Sequence, residues 1–252
     1  NLKFFIFVAI FLSMKSFSFI ELKDEKDVYN LGPRVSILED PQGSLNIESV
    51  SRKNSKLKFF KSEKDVPNFG IRPSAFWVRI NVKNFSNITQ WFLSLDYHYL
   101  DNVQFYRFTE GKWSLYQTGD RFKFKQREVP HRGFVFKIKP KEKTTYFLRL
   151  QSRGSIQIPL KIYSPSSFYE HESRVHYGFG IFYGFLIVMI FYNLFVFFST
   201  KNLSYIYYVL FLCSFYIIMM SMNGFGFQFL FPNFPYLQNE GIPLMGLVVA
   251  IT

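Results

Sequence analysis

Apolar and polar positions alternate along much of residues 35–163. Phe76, Val78, Ile80 and Val82 alternate with Trp77, Arg79, Asn81 and Lys83. Trp91, Leu93 and Leu95 alternate with Phe92, Ser94 and Asp96, and Tyr146, Leu148 and Leu150 with Phe147, Arg149 and Gln151. A period of two with one apolar face predicts half-buried strands. Further strands are expected near residues 103–107, 134–138 and 155–162. Turn-forming clusters separate them at residues 84–87, 109–111, 119–120 and 140–143. Many short strands at this spacing predict a β-sandwich over residues 35–165. No helical period is convincing before Tyr169.

After Arg174 the pattern changes. Lys201 and Glu240 are the only charged side chains beyond it. Residues 177–198 are rich in Phe, Leu and Ile and long enough to cross a bilayer as a helix. Residues 205–222 form a second such span, and the five residues between them suit a tight helical hairpin. A third apolar run starts near Ile242 and is expected to be the beginning of a third span. Residues 166–176 read as a polar linker, with Glu170, His171 and Glu172 among its members.

The other end carries Lys3 followed by the apolar run from Phe4 to Leu12. A basic residue before so short an apolar core predicts a signal peptide over residues 1–18. Residues 19–34, with Asp24, Glu25 and Asp27, read as a mobile mature N-terminus. Export of the sandwich makes the first span run inward and puts the Lys201 loop on the cytoplasmic side. The positive-inside bias supports this with Lys201 alone, while Arg174 lies outside.

Composition sharpens the picture. Charged residues make up 19% and aromatics 21%, which excludes a disordered chain. The single cysteine, Cys213, excludes a disulfide scaffold. A net charge of +12 attracts anions. An exported domain has no nucleic acid to meet, so the run Arg52, Lys53, Lys56, Lys58, Lys61 and Lys64 reads as a solvated face. The histidines His98, His131, His171 and His176 show no metal-binding spacing, and neither a nucleophile elbow nor a phosphate loop occurs. No catalytic residue, metal or cofactor is expected.

Several stretches occur together in a telling order. They are Ala75-Phe76-Trp77-Val78-Arg79 with Asn81 and Asn84, then Leu100-Asp101-Asn102-Val103-Gln104-Phe105-Tyr106, then Thr118-Gly119-Asp120. Phe134-Val135-Phe136 and Tyr146-Phe147-Leu148-Arg149 follow. Tyr177-Gly178, Gly184, Phe191-Tyr192-Asn193-Leu194-Phe195 and Lys201-Asn202-Leu203-Ser204-Tyr205 come next, and Asn223-Gly224-Phe225-Gly226-Phe227 closes the set. Together they resemble the bacterial seven-transmembrane receptors with diverse intracellular signalling modules, the 7TMR-DISM family. The resemblance implies a mainly β jelly-roll sandwich of the type-two extracellular domain, followed by α-helical transmembrane segments from a seven-helix bundle. It also implies a bacterial cytoplasmic-membrane receptor that senses a ligand outside, with carbohydrate the suggested class. The family's outputs include histidine kinases, nucleotide cyclases and phosphatases. Those modules would lie beyond residue 252. A tethered adhesion module is the alternative. A transporter is disfavoured by the absence of intramembrane charge pairs.

Candidate ligand contacts are Trp77 and Arg79, Tyr97, Tyr99 and Asp101, Trp113, and Arg149. Exposed aromatics and polar groups on one face would suit a sugar. The competing reading buries Trp77 on the far side of its sheet and pairs Arg79 with Asp101 or Asp120. Gly180 and Gly184 form a small-residue motif that lets helices approach, within the bundle or between copies in a homodimer. Asn193, near mid-span, is expected to hydrogen-bond another helix in the bilayer, or else to point at a neighbouring backbone.

Overall fold

The computed structural model describes residues 19–52 and 56–237. The expected signal peptide and third span lie outside the described residues. Thirteen strands precede a helical hairpin. They are β1 (Ile20–Leu22), β2 (Val28–Asn30), β3 (Ser36–Asp40), β4 (Phe60–Lys61), β5 (Asn68–Ile71), β6 (Ala75–Asn84) and β7 (Trp91–Leu95). Then come β8 (Asn102–Thr109), β9 (Lys112–Thr118), β10 (Phe134–Ile138), β11 (Thr144–Gln151), β12 (Ser155–Gln157) and β13 (Leu160–Tyr163). A short helix, α1 (Ile47–Ser51), lies between β3 and β4.

One sheet runs β4-β3-β6-β11-β8-β9, with β1 added in parallel beside β6. The second runs β10-β7-β13-β2, and β5 pairs separately with β12. Consecutive strands repeatedly cross between the sheets, as in a jelly roll. The inward residues are those of the alternation. Phe76, Val78, Ile80 and Val82 meet Leu93, Leu95, Phe105, Phe136, Leu148 and Ile162 in one buried cluster. At the tip of the β8–β9 hairpin both Glu110 and Gly111 have positive φ, the two-residue turn whose twist matches paired strands.

The structure corrects two expectations and decides a third point in favour of the reading that buries Trp77. Residues 19–34 are not a mobile tail: β1 pairs with Val82–Asn84 of β6, and β2 pairs with β13. Ile20, Leu22, Tyr29 and Leu31 are buried, and this anchors the segment. Neither is the outward face of the larger sheet solvated. Helix α1 and its flanks cover it, so Leu38, Val50, Trp77, Tyr106 and Phe147 form a second buried cluster. Helix α1 starts on a reciprocal cap, in which Asn46 Oδ1 accepts from the Ser49 amide and Ser49 Oγ accepts from the Asn46 amide. Finally, residues 166–176 are not a linker separate from the first span.

They are instead the first three turns of α2 (Pro165–Thr200), a single helix of 36 residues. Ser164 caps it by accepting from the Ser167 amide, and Pro165 takes the first helical position. Phe168 is buried against Phe92, Val135 and Tyr163 on the outer face of the smaller sheet. At 1.5 Å per residue α2 is about 54 Å long, well beyond a ~30 Å hydrocarbon layer. Lys201, in the left-handed conformation, ends it, and α3 (Leu203–Met222) returns. Tyr183, Leu186, Leu212, Met220 and Phe225 form the seam of the hairpin. Exposed apolar side chains such as Ile181, Phe185, Val188, Phe191 and Phe195 cover the rest, as expected of helices meeting lipid or further apolar helices.

Candidate functional site

The connection from β7 to β8, residues 96–101, is where the sandwich meets the helices. Leu100 is fully buried and pins the loop to the core. Ser152 Oγ donates to the Tyr99 carbonyl at 3.2 Å, and the Asp120 amide donates to the Leu100 carbonyl at 2.9 Å. A side chain in place of Gly119 would collide with the Asp101 carbonyl, so glycine is required where β9 leaves this loop. The loop's polar side chains are thereby aimed in two directions.

Toward the helices, His98 Nε2 and the Tyr99 hydroxyl both lie 2.9 Å from the Met222 carbonyl oxygen. That carbonyl belongs to the last turn of α3, where intrahelical donors run out. Two sandwich side chains therefore cap the helix. Burial holds the His98 imidazole at about 4, assisted by the positive charges of Arg127 and Arg132 and opposed by the Met222 carbonyl and Asp96. It is neutral near pH 7 and donates through Nε2–H. Gly224, directly after the helix, has φ +78°, and a Cβ there would stand 3.2 Å from both the His98 ring and Arg132 Cβ. The backbone turns under the loop only because no side chain intervenes.

Helix α2 is held by residues 124–133, the segment that precedes β10. His131 Nδ1 accepts from the Gly133 amide at 3.0 Å, which leaves the ring proton on Nε2. Nε2 is 2.8 Å from Glu172 Oε2 on α2. Burial raises the Glu172 pKa, but the contact with His131, with Arg132 and His171 adding to it, outweighs this and holds the carboxyl below its ordinary range. Arg127 sits between the two helix contacts. Its Nη1 donates to the His131, Arg132 and Gly133 carbonyls, and its guanidinium lies over the rings of Phe124, Phe134 and Phe227. Burial lowers it to about 10, so it stays charged. Arg132 bridges Asp96 of the loop, at 3.6 Å, to the faces of Phe179 and Phe225.

Away from the helices, Asp101 Oδ2 is 3.4 Å from both Arg121 Nε and Arg153 Nε. It lines a surface cleft of about 500 Å³ with Ile71, Arg72, Pro73, Asn102, Gln151, Ser152 and Arg153.

The candidates named from sequence fall into two groups. Tyr97, Tyr99 and Asp101 belong to the 96–101 loop. The others belong to the covered outer face of the larger sheet. Trp77 has no exposed surface and stacks on Tyr106 at 5.4 Å. Arg79 lies over Phe59 at 4.1 Å, and burial lowers its pKa. Trp113 packs edge-on against Phe147, and Arg149 donates to the Gly43 carbonyl at 3.0 Å. Trp77 thus offers nothing to a ligand, and the seven residues make no single patch. In the hairpin, a Cβ built on Gly180 or Gly184 meets nothing within 4 Å, so neither is a point of close approach among the described residues. Asn193 is buried and donates to the Met189 carbonyl of its own helix.

Sequence reasoning missed His98, Arg127, His131, Arg132, Glu172 and Gly224. A signal for Glu172 existed. Phe168, Glu172, Phe179, Tyr183, Leu186 and Asn193 lie on one helical face that runs from the polar segment into the apolar one.

The comparisons with known proteins agree with this layout. Residues 32–164 match the 7TMR-DISM extracellular 2 domain. Residues 176–252 match the 7TM diverse intracellular signalling region. A search of curated proteins finds no match. With an extracellular domain of this type across more than half its length and the membrane region next to it, the chain belongs to the 7TMR-DISM family of membrane sensory receptors.

Proposed function

We propose that the sandwich is the sensor of an exported ligand-binding receptor and that loop 96–101 couples it to the membrane helices. The observation that carries this is the double contact of His98 and Tyr99 with Met222. It joins a loop rooted in the sandwich core to the outer end of α3, while Glu172 and Phe168 join α2 to the same domain. A ligand that binds two arrangements of loop 96–101 unequally would shift both helix ends. In this reading residues 1–18 export the domain, the protein resides in a bacterial cytoplasmic membrane, and the Lys201 turn faces the cytoplasm. The ligand is a small polar molecule bearing hydroxyl groups, a chemistry that includes the carbohydrates suggested by the family resemblance. The membrane helices pass the signal to a cytoplasmic output module.

The test is a distance measurement between spin labels at Lys112 and Lys201, with Cys213→Ser as background. The wild-type chain should give one narrow distribution. His98→Ala combined with Tyr99→Phe should broaden it. An unchanged distribution would refute coupling through this loop.

A further inference from the structure

The cleft beside loop 96–101 has the lining of a binding site, and none of its chemistry is consumed by the helix contacts. It opens at the ends of β8 and β11, where Asn102 and Gln151 are paired residues, and is closed on one side by the end of β5. Its volume of about 500 Å³ falls in the range of small-molecule sites. Ile71 is 78% exposed at its rim, an apolar side chain left facing solvent.

The charges are arranged unevenly. Arg72 uses Nη1 on both oxygens of Glu39, and Arg153 uses Nε on Asp101. Their other guanidinium nitrogens make no hydrogen bond among the described residues. Among the residues lining the cleft, Arg72 and Arg153 are positive and Asp101 is negative, an excess of one positive charge. Guanidinium forks suit carboxylates. Asp101, Asn102 and Gln151 supply oxygen acceptors for hydroxyl groups, and Asp101 disfavours a densely charged dianion.

We propose that this cleft is the sensor's ligand site and that it takes a small hydroxy-carboxylate. The carboxylate lies between Arg72 and Arg153, and the hydroxyls donate to Asp101, Asn102 and Gln151. The assignment rests on the receptor reading and names its ligand class. The site has two routes to the helices. Asp101 ends the loop that carries His98 and Tyr99, and Ser152, in the cleft wall, donates to the Tyr99 carbonyl.

The test uses the full chain in lipid nanodiscs and calorimetric titration with gluconate, threonate and glycerate. Sorbitol, threitol, glycerol and inorganic phosphate are the comparison probes. At least one hydroxy acid should bind, with its neutral polyol and phosphate at least about tenfold weaker. Arg153→Gln and Asn102→Asp should each weaken that binding at least about tenfold at unchanged Tm. Arg153 is a largely exposed side chain, and Asn102→Asp keeps an acceptor for Gln117 while adding a like charge. Absence of binding by all three acids, equal binding of polyol or phosphate, or binding indifferent to both substitutions overturns the assignment. Hydrogen exchange at residues 96–101 and 219–224, measured on the same samples, separates the two ideas. Binding that protects only the first segment keeps the cleft and refutes coupling to the helix. Failure of all binding leaves the spin-label test of coupling standing.

Discussion

Tyr99 and Met222 are 123 positions apart, and the phenol of one donates to the main-chain carbonyl of the other at 2.9 Å. The carbonyl accepts from His98 as well, so a helix end that would otherwise rely on water is satisfied by the sandwich. Tyr99→Phe removes one donor and leaves the ring in place. The expected cost is about 1 kcal/mol. Thermal unfolding of the full chain should register it, and a Tm equal to wild type would mean the bond contributes nothing.

Gly224→Ala should be more damaging. The added Cβ enters the left-handed region at about 1–2 kcal/mol and presses on His98 and Arg132 at 3.2 Å. Exchange protection at residues 219–224 should fall while the strands keep theirs. Unaltered protection would show that the turn adapts freely.

Glu172 makes the junction sensitive to acid. Its folded pKa is depressed, so its stabilisation is complete above the unfolded value near ~4.3 and is lost as pH falls through the folded value. Glu172→Gln keeps an oxygen toward His131 and cannot titrate. The wild-type Tm should exceed the variant's at pH 7, and the gap should close below about pH 4. A gap that is constant with pH would place the effect elsewhere.

Trp77→Ala should disable the domain as a whole. Removing a fully buried indole costs about 3–5 kcal/mol, so denaturant unfolding should shift strongly. Loss of binding in that variant would report unfolding and say nothing of contact. Trp77→Phe, which refills most of the volume, should recover most of the stability.

Membrane orientation has its own test. A reporter domain inserted after Lys201 should be active only when it functions inside the cell. Activity outside would reverse the topology, and with it the position of the sandwich.

The strands with one apolar face were legible because burial there follows the pleat. Residues 76–82, 91–95 and 146–150 are strands with the expected side inward. Trp77 and Phe147 were harder to place because period two says which residues share a face but not what covers it. Their cover is a short helix that local pattern alone does not reveal. Strands β1 and β2 have three residues each, too few for a period, and they exist through partners some sixty and more than a hundred and thirty positions away. The loop 96–101 was marked through Tyr97, Tyr99 and Asp101 because polar and aromatic side chains near a turn suit a ligand. Its real partner, a main-chain carbonyl, carries no side-chain signature.

Helix α2 passes from the sandwich wall to the far end of the first span without a break. Its two ends therefore share one fixed helical phase. Each residue advances a helix by about 100°, so the angle at which Phe168 and Glu172 grip the sandwich sets the direction in which Tyr183 and Asn193 point in the bilayer. Adding one residue between Glu172 and Tyr177 would turn the rest of the span by about 100°, leaving the Phe168 and Glu172 contacts in place and carrying Phe179 away from Arg132. If the proposed coupling runs through this helix, what the domain transmits is torque, and the register of the helix determines its sign.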